Sequence, residues 1–285
     1  MARVLIAGCG YLGTALGVRL ASVGHSVWGL RRMADDLPGE IRPLSADLSE
    51  SPGLANLPPA LDFIFYTAAP DSSGAEAYRE VYAAGLENLL TALASQKQRP
   101  KRLFLASSTS VYAQTSGEWV DEGSLTEPDH YAGEIILEAE RLIFESACPA
   151  TAVRLGGIYG PGRGRLINSV RRGEAVCPEG PPRYVNRIHQ GDAAGILHHL
   201  MDRPSPEAVY IGVDSEPAGE REVLGWLAEE LDAPPPRIAP GAGALSRRGW
   251  SNKRCSNARI RGSGYEFIYP TFREGYGEIL SGGSI

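Results

Sequence analysis

Short apolar runs alternate with longer stretches of helical periodicity over the first two thirds of the chain. Residues 3–7 form one apolar run, and Leu12, Leu16 and Leu20 follow it at helical spacing. Because strands separated by helices of this length pair in parallel through right-handed crossovers, we expect an α/β fold with a doubly wound parallel sheet. The pattern predicts strands at 3–7, 26–30, 62–67, 102–107 and 150–155, and helices at 76–95 and 132–145.

The pattern changes after Gly156. Glycine and proline become frequent at 160–164 and 178–182, which is typical of loops around a cleft. Further along, we predict a helix at 191–202, a strand at 208–213, a helix at 220–231 and a polar, irregular segment at 241–264.

Composition and charge narrow the function classes. The 285 residues carry a formal net charge of −6 with a pI near 5.5, which argues against a general nucleic-acid binder. No apolar run reaches the roughly 20 residues of a membrane span, and Met1 and Ala2 lead directly into the first strand without room for a signal peptide. We therefore expect a cytoplasmic protein that binds neither nucleic acid nor membrane.

Cysteine and histidine spacing predicts no metal site. The four cysteines are scattered without CxxC spacing, so neither a disulfide framework nor a zinc site is indicated. His198 and His199 are adjacent, so on a helix their side chains point in different directions, and we interpret them as ordinary surface residues.

A glycine motif stands between the first strand and the first helix. Residues 8–13 read Gly-Cys-Gly-Tyr-Leu-Gly, which is GxGxxG inside a βαβ unit. Such a turn lets a pyrophosphate approach the backbone at the positive end of a helix. A glycine turn chosen only for packing is the alternative. We predict a bound dinucleotide, with Gly8, Gly10, Tyr11, Leu12 and Gly13 among its contacts.

Two arginines follow the second strand where NAD-specific enzymes usually carry an acid. Arg31 and Arg32 can pair with the 2′-phosphate of NADP, which a carboxylate would repel. Asp35 or Asp36 could still bind a ribose, and both arginines could be solvated surface charges. We expect NADP, with NAD the less favoured cofactor. Further cofactor contacts are expected from Asp47, Thr67, Ala68 and Ala69.

These elements suggest a division of the chain into two units. The larger unit spans 1–157, with 184–204 returning to it, and is the expected Rossmann domain. The smaller unit spans 158–183 and 205–285 and is the expected substrate-binding cap.

Several motifs in the right order resemble one family nearly from end to end. Residues 103–112 resemble the fifth strand and "SS…VYG" segment of the extended short-chain dehydrogenase/reductases, the NAD-dependent epimerase/dehydratase family. Residues 153–162 resemble its "R…iyGpG" turn, and 186–192 its "ihV.D" element. Residues 252–257 and 269–275 are similar to its closing pattern. The resemblance implies the predicted fold, a nicotinamide cofactor and a possible homodimer formed by the helices at 76–95 and 132–145.

The catalytic YxxxK pair of that family is missing. Tyr131 is followed four residues later by Ile135, and shifting the register to Ala132 and Ile136 does not restore the pair. No lysine lies between Lys101 and Lys253. The family's glycine motif is also altered, and Tyr82 stands where it has an asparagine. The chain therefore resembles the atypical subgroup. In the family, the lysine lowers the tyrosine pKa, and an unassisted tyrosine is a poor acid–base group at pH 7.

The resemblance still implies candidate site residues. Ser108 stands at the position of the catalytic hydroxyl, and Tyr131 could donate a hydrogen bond without ionising; turn-stabilising and packing roles are the alternatives. An anionic small molecule could be bound by basic groups of the cap, unless these form an exposed basic loop. The substrate candidates are Tyr159, Arg187, His189, Lys253 and Arg254.

Three classes of function remain open. The first is an NADP-dependent oxidoreductase or nucleotide-sugar epimerase/dehydratase-like enzyme with a rearranged site. The second is a non-catalytic NADP-binding sensor, which the missing lysine beside a retained glycine turn would suit. A structural subunit with a vestigial site is the third possibility.

Overall fold

The computed structural model describes residues 1–239 and 251–282, and its centre is a seven-stranded parallel sheet. The sheet strands are β1 (Arg3–Ala7), β2 (Ser26–Arg31), β3 (Arg42–Ser45), β4 (Phe63–Tyr66), β5 (Arg102–Ser108), β7 (Ala150–Leu155) and β12 (Val209–Gly212). Their order across the sheet is β12-β7-β5-β4-β1-β2-β3, and all six strand pairs are parallel. This order confirms the doubly wound α/β fold.

Helices cover both faces of the sheet. The described helices are α1 (Tyr11–Ser22), α2 (Ala75–Arg79), α3 (Leu86–Ser95), α4 (Tyr131–Glu145), α5 (Arg165–Arg171), α6 (Gln190–Met201), α7 (Glu220–Glu230), α8 (Ala258–Gly262) and α9 (Phe272–Gly282). Leucines of α1 and α6 pack on one face against Val4, Ile6 and Phe65, and α3 and α4 pack on the other face against Leu5, Ile64 and Leu103. Among these described helices, none is long and apolar enough to cross a membrane.

Within the described residues, four two-stranded sheets lie outside the central one. They are formed by β6 (Glu118–Val120) with β15 (Lys253–Cys255), β8 (Gly157–Tyr159) with β11 (Arg187–His189), β9 (Val176–Pro178) with β14 (Arg237–Ala239), and β10 (Tyr184–Val185) with β13 (Ala218–Gly219). A separate apolar cluster joins α5, α7 and α9 through residues such as Ile167, Leu227 and Phe272. The predicted boundaries of the two units stay a prediction.

In the central sheet the sequence pattern missed one strand, β3. Outside that sheet it predicted neither α5, nor α9, nor the short strands of the two-stranded sheets. The edge strand β3 contains Pro43 and is largely exposed, so it carries no hydrophobic alternation. The predicted helix at 76–95 is helical but contains a π-helical segment, Glu80–Gly85. There the Tyr66 hydroxyl donates to the Val81 carbonyl at 2.5 Å. The polar segment at 241–264 was wrongly predicted as irregular throughout, because β15 and α8 lie in it; residues 241–250 lie outside the described residues.

Candidate functional site

A cleft of about 860 Å³ opens at the carboxyl ends of the central strands. It lies where the chain order reverses between β1 and β4, the position at which doubly wound sheets bind ligands. The residues after these two strands, together with the ends of β5 and β7, form much of its wall. Predicted cofactor residues that line the cleft are Gly8, Gly10, Tyr11, Leu12, Arg31, Arg32, Asp47, Thr67, Ala68 and Ala69.

The glycine turn is held tightly against the end of β4. Gly8 has φ +85°, and a side chain there would overlap the Ala68 backbone. At Gly13 a Cβ would stand 2.7 Å from Thr67 Oγ1, so this glycine allows close packing and does not line the cleft. The Thr67 hydroxyl donates to the Gly8 carbonyl at 2.9 Å. The open backbone at Gly10 therefore faces a cleft whose floor is Ala68 and Ala69.

Arg31 and Arg32 line the same cleft and are both paired with acids. Arg31 contacts Asp36, and Arg32 contacts Asp71 across the cleft. The hydrogen bond that Arg32 donates to Asp71, together with the negative charge of that carboxylate, raises the pKa of Arg32 above its usual range. Asp47 accepts two hydrogen bonds from Ser49, which hold its pKa below the ordinary value. An anion between the two arginines would meet guanidinium groups already oriented towards the cleft.

Ser108 is the polar end of β5 in the cleft. Its Oγ accepts the Ser110 N–H at 3.1 Å, which leaves the hydroxyl proton free for a group in the cleft. Ser107 also lines the cleft, but its hydroxyl donates to Glu140 at 2.5 Å. That carboxylate is 2% exposed and holds Arg154 through two hydrogen bonds. Ser107 thus belongs to a buried network, whereas Ser108 is available to a ligand.

Helix α4 faces the cleft with two apolar side chains, Ala132 and Ile136. Tyr131 stands outside the cleft lining, because its hydroxyl accepts the Gly74 N–H at 3.0 Å and its ring lies edge-on to Tyr78. The register that faces the cleft is therefore the shifted one, which carries no ionisable group at either position. The catalytic role of Tyr131 stays a prediction, and its side chain does not line the cleft.

The basic substrate candidates are engaged elsewhere. Lys253 is 3% exposed, and its ammonium donates to the Tyr112 carbonyl at 2.7 Å and to Ser251 Oγ at 2.6 Å. Burial lowers its pKa. The alternative of an exposed basic loop is wrong for this residue, which is buried in β15. Arg254 stacks on Trp119, and Arg187 is buried near Asp214. None of the three basic residues lines the described cleft.

Tyr159 and His189 form a buried aromatic cluster behind the cleft. His189 Nδ1 accepts the Gly191 N–H at 3.2 Å and so caps α6, while Nε2 lies 3.7 Å from a Glu278 carboxylate oxygen. Burial lowers the His189 pKa to about 4. The Tyr159 ring stacks on Tyr276 with centroids 4.4 Å apart. Neither Tyr159 nor His189 lines the cleft.

The fold brings the rings of His198 and His25 next to each other. The interpretation of His198 as an ordinary surface residue missed this contact. Nitrogens of the two rings and a carboxylate oxygen of Asp202 lie within 4.8 Å of one another. Nδ1 of His25 accepts the Ala2 N–H, and Nδ1 of His198 accepts from Arg19 Nε. Both Nε2 atoms therefore carry the proton of the neutral ring, which favours donation to Asp202 over metal ligation.

Arg163 and Tyr78 line the cleft although neither was predicted from the sequence. Arg163 stands in the Gly-Pro-Gly-Arg-Gly run at 160–164, whose glycine density was noted without its basic residue. The guanidinium of Arg163 lies 4.0 Å above the ring of Tyr11. Tyr78 comes from α2, for which no cleft-facing pattern is visible in the sequence.

Comparison with known proteins identifies the family. The profile of the NAD dependent epimerase/dehydratase family matches residues 4–212. A Methylobacillus flagellatus structure, described as a candidate NAD-dependent epimerase/dehydratase, is 36% identical, with 99% of this chain and 98% of that chain covered and a TM-score of 0.80.

Two further relatives have more specific descriptions. A Streptomyces protein named 3-diazoavenalumate denitrifying reductase is 26% identical over 96% of this chain and 99% of its own. The human epimerase family protein SDR39U1, solved with NADPH, shares the fold with a TM-score of 0.81 at 23% identity. The match covers 98% of this chain and 99% of that one. The resemblance seen in the sequence motifs is thus confirmed, and the chain belongs to the NAD dependent epimerase/dehydratase family.

Proposed function

We propose that this protein is an NADP(H)-dependent oxidoreductase that binds the dinucleotide in the cleft and reduces or oxidises a small molecule beside Ser108. The observation that carries the proposal is the glycine turn, which opens into the cleft at Gly10 and is locked to β4 through Gly8 and Thr67. A dinucleotide pyrophosphate fits a turn whose close approach a side chain at Gly10 would obstruct. The name of the Streptomyces relative, a reductase, supports net oxidation or reduction of a substrate over epimerisation.

Selectivity for NADP follows from the charges at the end of β2. The 2′-phosphate would replace Asp36 and Asp71 as the partner of Arg31 and Arg32, and charge-assisted bonds from guanidinium to phosphate are strong. A ribose 2′-hydroxyl offers no such gain.

The residues around Ser108 define how the chemistry differs from the standard family mechanism. When bound, the nicotinamide supplies or accepts a hydride. The Ser108 hydroxyl donates a hydrogen bond to the reacting heteroatom of the substrate, and Ala132 and Ile136 exclude water on the side of α4. Since α4 presents Ala132 and Ile136 to the cleft and no acid–base group, Ser108 polarises the reacting heteroatom, and the proton that balances the hydride is exchanged with solvent water on the open side of the cleft.

Binding is the first test. Fluorescence titration should show tighter binding of NADPH than of NADH to the purified chain. Equal affinities would contradict the role of Arg31 and Arg32, and binding of neither would overturn the proposed function.

Turnover is the second test. With a substrate found by screening small carbonyl compounds and sugar nucleotides for NADPH oxidation, Ser108→Ala should lower kcat about 10- to 100-fold, the loss of one transition-state hydrogen bond. Its NADPH affinity should stay unchanged. Thr109→Ala is the matched control, because it removes a neighbouring hydroxyl that does not line the cleft. Unchanged turnover in Ser108→Ala would remove Ser108 from the mechanism.

A sensor function is supported by one other observation. Asp71 pairs with Arg32 at the cofactor cleft, and three residues later Gly74 donates to Tyr131. A 2′-phosphate that takes Arg32 would release one end of this loop, so occupancy could change a surface that a partner binds. Hydrogen exchange at residues 71–79 with and without NADPH tests this function, and identical exchange would count against it.

A further inference from the structure

The loop between β8 and α5, residues 160–164, crosses the start of α1 and is attached to Tyr11. The Tyr11 hydroxyl donates to the Pro161 carbonyl at 3.0 Å, and the Tyr11 carbonyl accepts from Gln190 Nε2 at 2.7 Å. Tyr11 directly follows Gly10 in the glycine turn, so this loop is fixed beside the place where a dinucleotide would cross the turn.

Arg163 is the charged residue of this loop. Its guanidinium carbon lies 4.0 Å from the Tyr11 ring centroid, and Nη1 donates to the Ile158 carbonyl at 3.0 Å. The residue is exposed and lines the cleft. Over residues 1–239 and 251–282, no carboxylate lies within ion-pair distance of it, whereas Arg31 and Arg32 each hold an acid. Arg163 therefore lines the cleft without a charged partner among the described residues.

We propose that Arg163 binds the pyrophosphate of the dinucleotide, with the Tyr11 ring as the surface that orients its guanidinium. The inference rests on the proposed function and adds a residue that sets affinity for the cofactor. A guanidinium can contact two phosphate oxygens at once, and a planar group stacked on a ring loses little freedom when it does so. The stack also keeps the arginine next to Gly10, where the backbone leaves room for the anion.

The pyrophosphate is common to NADH and NADPH, which separates this role from that of Arg31 and Arg32. Loss of Arg163 should weaken both cofactors by the same factor and leave their ratio unchanged. Loss of Arg31 or Arg32 should weaken NADPH alone. An anionic group of the substrate is the other anion that Arg163 could take, and in that case its loss would change neither cofactor affinity.

The experiment is isothermal titration of the full chain with NADPH, NADH and adenosine 2′-phosphate, which lacks a pyrophosphate. Arg163→Gln should raise the Kd of both dinucleotides about 10-fold or more, the loss of a hydrogen bond between charged groups. It should leave the Kd of adenosine 2′-phosphate unchanged. Arg165→Gln, two residues along at the exposed start of α5 and outside the cleft lining, is the matched control and should bind like the wild type.

The stacking surface is tested separately. Tyr11→Phe keeps the ring and should keep most of the dinucleotide affinity, whereas Tyr11→Leu should weaken NADPH binding. In the double variant with Arg163→Gln, the two losses should be less than additive, because both act through one contact. Unchanged dinucleotide affinity in Arg163→Gln, or an equal loss for adenosine 2′-phosphate, overturns the inference. If the wild type binds neither dinucleotide, the proposed function fails and the inference fails with it.

Discussion

His189 shows how burial of one side chain makes stability depend on pH. The ring is 4% exposed among Tyr159, Tyr269 and Glu278, and desolvation lowers its pKa from 6.5 to about 4. Since the folded pKa is depressed, the unfolded chain binds more protons between pH 6.5 and 4. The contribution of His189 to stability is therefore complete above pH 6.5 and is lost as the pH falls towards 4.

Replacement of His189 by asparagine should remove this loss. Asparagine can still cap α6 by accepting the Gly191 N–H, and it does not titrate. We expect the free energy of unfolding of the wild type to fall by roughly 3 kcal/mol more than that of His189→Asn between pH 7 and pH 4. Urea unfolding at several pH values measures the difference, and parallel pH profiles for the two proteins would contradict it.

At the same scale, Lys253 shows what composition cannot predict. Its rarity among the basic residues made it a candidate ligand for an anionic substrate, and its sequence neighbours are polar. Its burial comes from pairing of β15 with β6, two segments more than a hundred residues apart. A contact at that separation leaves no local pattern, so whether the side chain is exposed could not be predicted.

The elements that local patterns predict well are those that bury a whole face. The sheet strands other than β3, and the helices α4, α6 and α7, were predicted to within one residue at each end, because their apolar spacing follows from burial. For α1 the leucine spacing predicted a helix without bounds. It was harder to predict which residues of α4 face the cleft. Ile135 and Ile136 are both buried in the core, but of the two only Ile136 also lines the cleft. Periodicity alone gives a wide apolar stripe and does not say which edge borders a ligand.

Helix α4 is also joined to the sheet by a buried ion pair, which carries a prediction. Glu140 on α4 holds Arg154 on β7 at 2.7 Å, and Ser107 on β5 donates to the same carboxylate. Glu140→Ala leaves the buried guanidinium without its counter-charge, and the expected loss of stability is about 3–5 kcal/mol. Glu138→Ala, on the exposed side of the helix, should change stability by less than about 0.5 kcal/mol. Denaturant midpoints measure both variants, and similar effects would contradict the importance of the pair.

On the scale of the whole molecule, strand order and chain order together position the cofactor site. The turn after β1, the arginines after β2 and the Thr67–Ala69 segment after β4 are remote in sequence. They meet because parallel strands end at the same edge of the sheet. This part of the site could be predicted, since it depends on topology. The contribution of the 160–164 loop could not, because it depends on how a loop outside the sheet folds back over α1.

A dinucleotide held by all of these segments should stabilise the entire chain. A ligand at 100 times its Kd that binds only the folded state adds about 2.7 kcal/mol to the free energy of unfolding, and for a chain of this size we expect the Tm to rise by about 5–10 °C. Replacing Arg31 and Arg32 together by glutamine should reduce the shift at a fixed NADPH concentration to the value seen with NADH. The NADH shift of that variant should match the wild type, which separates loss of the 2′-phosphate contact from general damage to the cleft. Thermal unfolding followed by circular dichroism measures these shifts. A full NADPH shift in the double variant would mean that the two arginines do not bind the 2′-phosphate, and that their pairing with Asp36 and Asp71 is their whole role.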